Sequence, residues 1–146
     1  MILIKVNQNN LMTESATIKK LFKELLRGKL FQFPKNGYVE ALGVPNTQGV
    51  YIIYNSERDP AHVGRTVRGK NGLCQRLNQH LLGQSSFVDS YSDLKKSGRG
   101  LRGRYWFRCL EVPHDRERAL LESLATGLIC PEHLGLSLSK KEKNAI

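Results

Sequence analysis

Cysteine is sparse in this 146-residue chain: Cys74, Cys109 and Cys130 are odd in number and widely spaced, and no CxxC pair occurs. That argues against a disulfide framework or a zinc ribbon and fits a reducing cytosol. Each cysteine lies in an apolar strand or helix pattern and reads as buried packing. Long hydrophobic runs are missing as well. MILIKV is too short for a signal-peptide core and no stretch approaches membrane-spanning length, so a cytoplasmic protein is expected. Acidic residues are few, 13 Asp and Glu against 23 Lys and Arg, for a formal charge of +10. Such a surplus on a small domain favours a polyanion, either nucleic acid or an acidic membrane face. No internal repeat is visible.

What remains is a globular composition, 40% apolar and 25% charged, long enough to bury a core without a staple. ILIKV (2–6) reads as a short strand. Ile18, Leu21, Phe22, Leu25 and Leu26 recur at helical spacing, so the pattern predicts a helix over 14–27 that stops at Gly28. Residues 29–48, with Pro34, Gly37, Gly43 and Pro45, read as a connector. VYIIY (50–54) and AHVGRT (61–66) read as a hairpin around a long tip. A helix follows from Gly72 to Leu82 with Leu73, Leu77 and Leu81 as its apolar stripe. A turn of helix is expected near 87–96, a third strand at 104–112, and a helix over 116–129 capped by Asp115 and ended by Pro131. KKEKNAI is a charged tail expected to fray. The order predicts an α+β domain with a small, mostly antiparallel sheet.

Three features could carry chemistry. Arg76 and His80 are i, i+4 on one helix and border its apolar stripe. A guanidinium grips two phosphoryl oxygens and an imidazole moves a proton near neutrality, so the pair suits phosphate chemistry; a solvated helix flank is the plainer reading. Glu122 lies at the border of core and surface on its helix, either as a lone Mg²⁺ ligand or as a surface glutamate paired with Arg118. The run 95–108 holds Lys95, Lys96, Arg99, Arg102, Arg104 and Arg108 without an acid. Its glycines let it follow a phosphate backbone, while Tyr105, Trp106 and Phe107 read as core before they read as base-stacking groups. Arg65, Arg68 and Lys70 add charge beside the hairpin.

GVY at 49–51, HVG at 62–64, then GLCQRLNQHL and LLESLATGL together resemble the GIY-YIG nuclease family. The resemblance implies a three-stranded antiparallel sheet flanked by helices. It divides the chain into an N-terminal helical extension and connector (1–48), a nuclease core (49–135) and a charged tail (136–146). By the same resemblance Tyr51 activates or positions the attacking water, and His62 stands where a tyrosine usually opens the second motif. Arg76 steadies the scissile phosphate, with Arg65 at an often basic position. His80 matches a histidine or tyrosine of some restriction enzymes, and Glu122 holds one divalent ion, Mg²⁺ or Mn²⁺. His133, in PEHL, stands where an asparagine is frequent. The implied activity is hydrolytic cleavage of DNA, RNA remaining open, by a monomer or homodimer, with specificity from loops or a protein partner. The rival is a nucleic-acid-binding module with the same fold and basic face but no chemistry.

Overall fold

The computed structural model describes residues 2–67 and 72–134. Its centre is a four-stranded antiparallel sheet in the order β1-β4-β2-β3, formed by β1 (Phe31–Gln32), β2 (Gly49–Tyr54), β3 (Pro60–Arg65) and β4 (Trp106–Glu111). Four α-helices complete it: α1 (Ile2–Arg27), α2 (Leu73–Leu81), α3 (Ser86–Ser90) and α4 (Asp115–Ile129). The α+β class and the hairpin are as the sequence predicts. The three-stranded expectation is corrected by β1, which arises inside the supposed connector. Phe31 stacks on Phe107 at 5.2 Å between ring centroids and Phe33 tilts against it at 4.8 Å, so aromatic contacts tie this segment to the free edge of β4.

Residues 2–6 are also corrected, from strand to the start of α1. Extending an existing helix adds a hydrogen bond per residue without new nucleation, whereas an isolated five-residue strand has no partner. The helix ends at Arg27, just before Gly28 as expected. At α4, His114 is the cap and Asp115 the first helical residue, its carboxylate paired with Arg118. The helical turn expected at 87–96 is confined to α3, where Ser85 Oγ accepts from Val88 N–H; 3-10 turns then follow at Ser92–Leu94 and Gly98–Gly100.

Alternation along the strands gives the sheet two apolar faces. Tyr51, Ile53 and Phe107 point to one face, beneath Leu73, Leu77 and Leu81 of α2 and Phe87 of α3. Val50 and Ile52 point to the other, where Ile18 and Leu25 of α1 and Leu121 and Ala125 of α4 cover them. Glu14 and Arg116 join α1 to α4 through two hydrogen bonds of 2.8 and 3.0 Å. Tyr105 and Phe107 are buried as core, with Trp106 partly so. Cys74 is buried and Cys109 half-buried, but Cys130 is exposed: it terminates α4 with φ +52°, where the chain turns out of the helix. Among the described residues no helix is long and apolar enough to cross a membrane.

Candidate active site

The hairpin motifs are made by close cross-strand contact. Tyr51 pairs with Gly64 and Ile53 with His62, so Tyr51, His62 and Gly64 share one face. A Cβ on Gly64 would stand 2.4 Å from Tyr51 Oη, and one on Gly49 would stand 2.2 Å from the Leu110 carbonyl oxygen. The two motif glycines thus let the tyrosine ring lie flat across β3 and let β2 approach β4. Neither position has room for a larger residue.

Because β3 is the edge strand of the β1–β4 sheet, residues from both of its faces reach one cleft of about 690 Å³. Tyr51 and His62 enter from the α2 side, Arg76 from α2 itself, Arg65 from the opposite face of β3, and Glu122 from α4. Five residues singled out from the sequence therefore converge. His80 does not line the cleft but lies fully buried beneath it, contrary to a solvated flank. Its Nε2 is 2.8 Å from Tyr51 Oη and its Nδ1 is 2.7 Å from Ser85 Oγ. Glu122 is not paired with Arg118. It accepts from Arg65 Nη1 at 2.9 Å, while Arg118 is buried against the carbonyls of Val112 and Pro113 and the Asp115 carboxylate.

Burial dominates the electrostatics. It pushes the Tyr51 phenol up to about 12, against the charge and hydrogen bond of Arg76. Burial, then His133 and Arg76, hold His62 down at about 3. His80 is held well below its ordinary range by burial first, then by His62, Arg76 and His133. Burial also raises the Glu122 carboxyl, opposed by Arg65 and Arg76. Burial likewise lowers His133, so the imidazoles of His62, His80 and His133 favour their neutral forms and the fixed positive charge comes from guanidinium groups.

Sequence reasoning left His133 without a role and did not single out Ser85 or Ser90. After Cys130 and Pro131 the chain runs back along β3, where Glu132 N–H bonds the Pro60 carbonyl at 3.2 Å and His133 N–H bonds that of Ala61 at 2.9 Å. This extra rung sets His133 Nδ1 3.1 Å from His62 Nδ1, and His133 Nε2 2.8 Å from Ser90 Oγ. The nearest signal along the chain is Pro131, two residues before His133, which marks the end of α4 but not where the chain returns.

The basic run does not line the cleft. Arg102 anchors the connector by donating to the carbonyls of Gly37 (2.8 Å) and Pro34 (3.3 Å), and Arg104 donates to Gly100 at 3.3 Å. Arg108 donates to the Leu26 carbonyl. Lys95, Lys96 and Arg99 are exposed and project from the 3-10 turns. Arg68, Lys70 and the 136–146 tail lie outside the described residues. No protein-family model matches the chain, and no curated protein matches it.

Glu122 fits a water-rich Mg²⁺ or Mn²⁺ ion in its donor chemistry. It is one hard carboxylate, with 28% of its side chain exposed in the cleft and its ionised form disfavoured by burial, so a nearby cation stabilises it. Among the described residues no group of three or more His, Cys, Asp or Glu could hold a metal, so such an ion would keep most of its waters.

Proposed function

We propose that this chain is a GIY-YIG-type endonuclease that hydrolyses phosphodiester bonds in DNA with the help of one divalent ion. The observation that carries this reading is the convergence of Tyr51, His62, Arg76, Arg65 and Glu122, drawn from β2, β3, α2 and α4, on a single cleft. Arg76 faces the phosphoryl oxygens and neutralises charge as it grows in the transition state. Arg65 does the same once it turns from Glu122 to a phosphate. Tyr51, with His62 or His80 as its proton partner, positions and activates the attacking water. Mg²⁺ on Glu122 would stabilise charge on the leaving 3′ oxygen. The exposed lysines and arginine at 95–99 extend the positive field for a long polyanion, and a cytoplasmic location belongs to the same reading.

Supercoiled plasmid with and without Mg²⁺ tests it. The wild type should nick only with the metal, and Arg76→Ala or Glu122→Ala should abolish nicking while circular dichroism stays native. Equal nicking by either variant overturns the mechanism. Salt-dependent DNA binding with no product would instead identify a module that binds without cutting.

A further inference from the structure

Hydrogen-bond direction around His62 is set from the far end of a chain of three groups. Ser90 Oγ donates its proton to the Ser86 carbonyl. It can therefore only accept from His133, which places the His133 proton on Nε2. The Nδ1 of a neutral His133 is then an acceptor, and the 3.1 Å contact with His62 Nδ1 requires His62 to donate there. A neutral imidazole carries one N–H, so Nε2 of His62 is left with its lone pair.

That nitrogen has no hydrogen-bond partner among the described residues. His62 is only 8% exposed but lines the cleft, so this free lone pair is what the ring can offer there. His62 lines the cleft, and the Phe87 ring stacks on it at 4.7 Å with planes 17° apart, so the imidazole is pinned on its face as well as its edge.

We propose that His62 is the base, taking a proton from the attacking water at Nε2, and that His133 and Ser90 are positioning residues that hold its ring in the required tautomer. This rests on the endonuclease reading and deepens it. An O–H bond of water breaks and its proton passes to Nε2. The oxygen forms a bond to phosphorus, the bond to the 3′ oxygen breaks, and that oxygen is protonated by solvent. Electrons and atoms balance without a further reactant.

Tyr51 is less suited to the task. Its hydroxyl is engaged by His80, and with its pKa pushed up to about 12 the phenolate is scarce at neutral pH. His62 is already unprotonated there and needs no ionisation before it accepts a proton, but at about 3 it is a weak base. Burial first, then His133 and Arg76, keep its basicity low, and a phosphodiester anion on Arg76 would offset the last of these.

The test joins ¹⁵N–¹H imidazole spectroscopy to plasmid nicking on the full chain. The wild type should show His62 protonated at Nδ1 and His133 at Nε2. His133→Leu should move the His62 proton to Nε2 and lower kcat by about 10–100-fold with KM for DNA little changed, as loss of an orienting partner does. His133→Asn, which restores an acceptor, should recover the Nδ1–H signal and most of the rate. His62→Gln should lose roughly 10²–10⁴-fold. A wild-type His62 protonated at Nε2, or full nicking by His133→Leu after its tautomer has changed, overturns the proposal and leaves the endonuclease reading standing. No metal-dependent nicking by the wild type sinks both.

Discussion

Arg65 Nη1 donates to Glu122 Oε1 at 2.9 Å, so the carboxylate that faces the cleft is neutralised by a guanidinium from the edge strand. On the proposed reading a divalent ion on Glu122 would have to compete with that contact, and a DNA phosphate would offer Arg65 another anion. The pair is partly exposed, at 35% and 28% of its side chains, so its strength is that of a modest ion pair, about 1 kcal/mol at most. Arg65→Gln should therefore raise Mn²⁺ affinity in the absence of DNA by roughly fivefold, the ratio that energy gives. An electron paramagnetic resonance titration of free Mn²⁺ measures this; unchanged affinity would mean that Arg65 does not guard the carboxylate.

Gly64 leaves no room for a Cβ beside the Tyr51 hydroxyl. Gly64→Ala should force the ring aside, destabilise the fold by about 1–3 kcal/mol as overpacking does, and depress nicking beyond what partial unfolding explains. Urea melts and assays well below the melting midpoint separate the two effects. A variant of native stability and full rate would show that the motif glycine has no steric role.

Tyr51 and His80 are each fully buried and partner one another. Tyr51→Phe should leave His80 Nε2 unsatisfied and cost about 1–3 kcal/mol. In a double-mutant cycle with His80→Phe the two losses should fall short of additivity by at least ~0.5 kcal/mol. Strict additivity in chemical denaturation would place the pair's contribution elsewhere.

Glu122 must be ionised to hold a cation, and burial raises its pKa above the ordinary 4.5. As pH falls it protonates sooner than a surface glutamate, so the acid limb of kcat/KM should lie above the ordinary carboxylate range. His62, held at about 3, does not set that limb. The effect on folding follows from the same direction. The folded state binds the Glu122 proton more tightly than the unfolded chain, so this contribution to stability is full below the unfolded value and lost as pH rises through the folded one. Relative to Glu122→Gln, the wild type should therefore lose stability across that window. Urea midpoints of both proteins across the acid range read the difference, and a constant difference would contradict the shift.

Much of the site is legible along the chain because local spacing carries it. GVY and HVG announce a hairpin whose register brings Tyr51 against Gly64, and the i, i+4 spacing places Arg76 and His80 on one helix. Glu122 could be located on its helix, but its partner could not. Spacing along α4 suggested Arg118, whereas tertiary packing drew Arg118 inward to the loop carbonyls and gave Glu122 to β3. The strand β1 was hidden because two residues have no periodicity, and only Phe107, far along the chain, makes them a strand. His133 was hidden for a similar reason. Its meaning depends on a backbone rung to Ala61 that no pattern of side chains encodes.

The His62 and His133 rings meet across 71 residues of sequence. A chain leaving the ribosome presents the hairpin and Arg76 long before His133 emerges. Until then His133 is not there to accept from the His62 ring. The order of synthesis thus delivers Arg76 first, and the residue proposed to orient the His62 ring joins it only when the segment beyond α4 folds back onto the sheet.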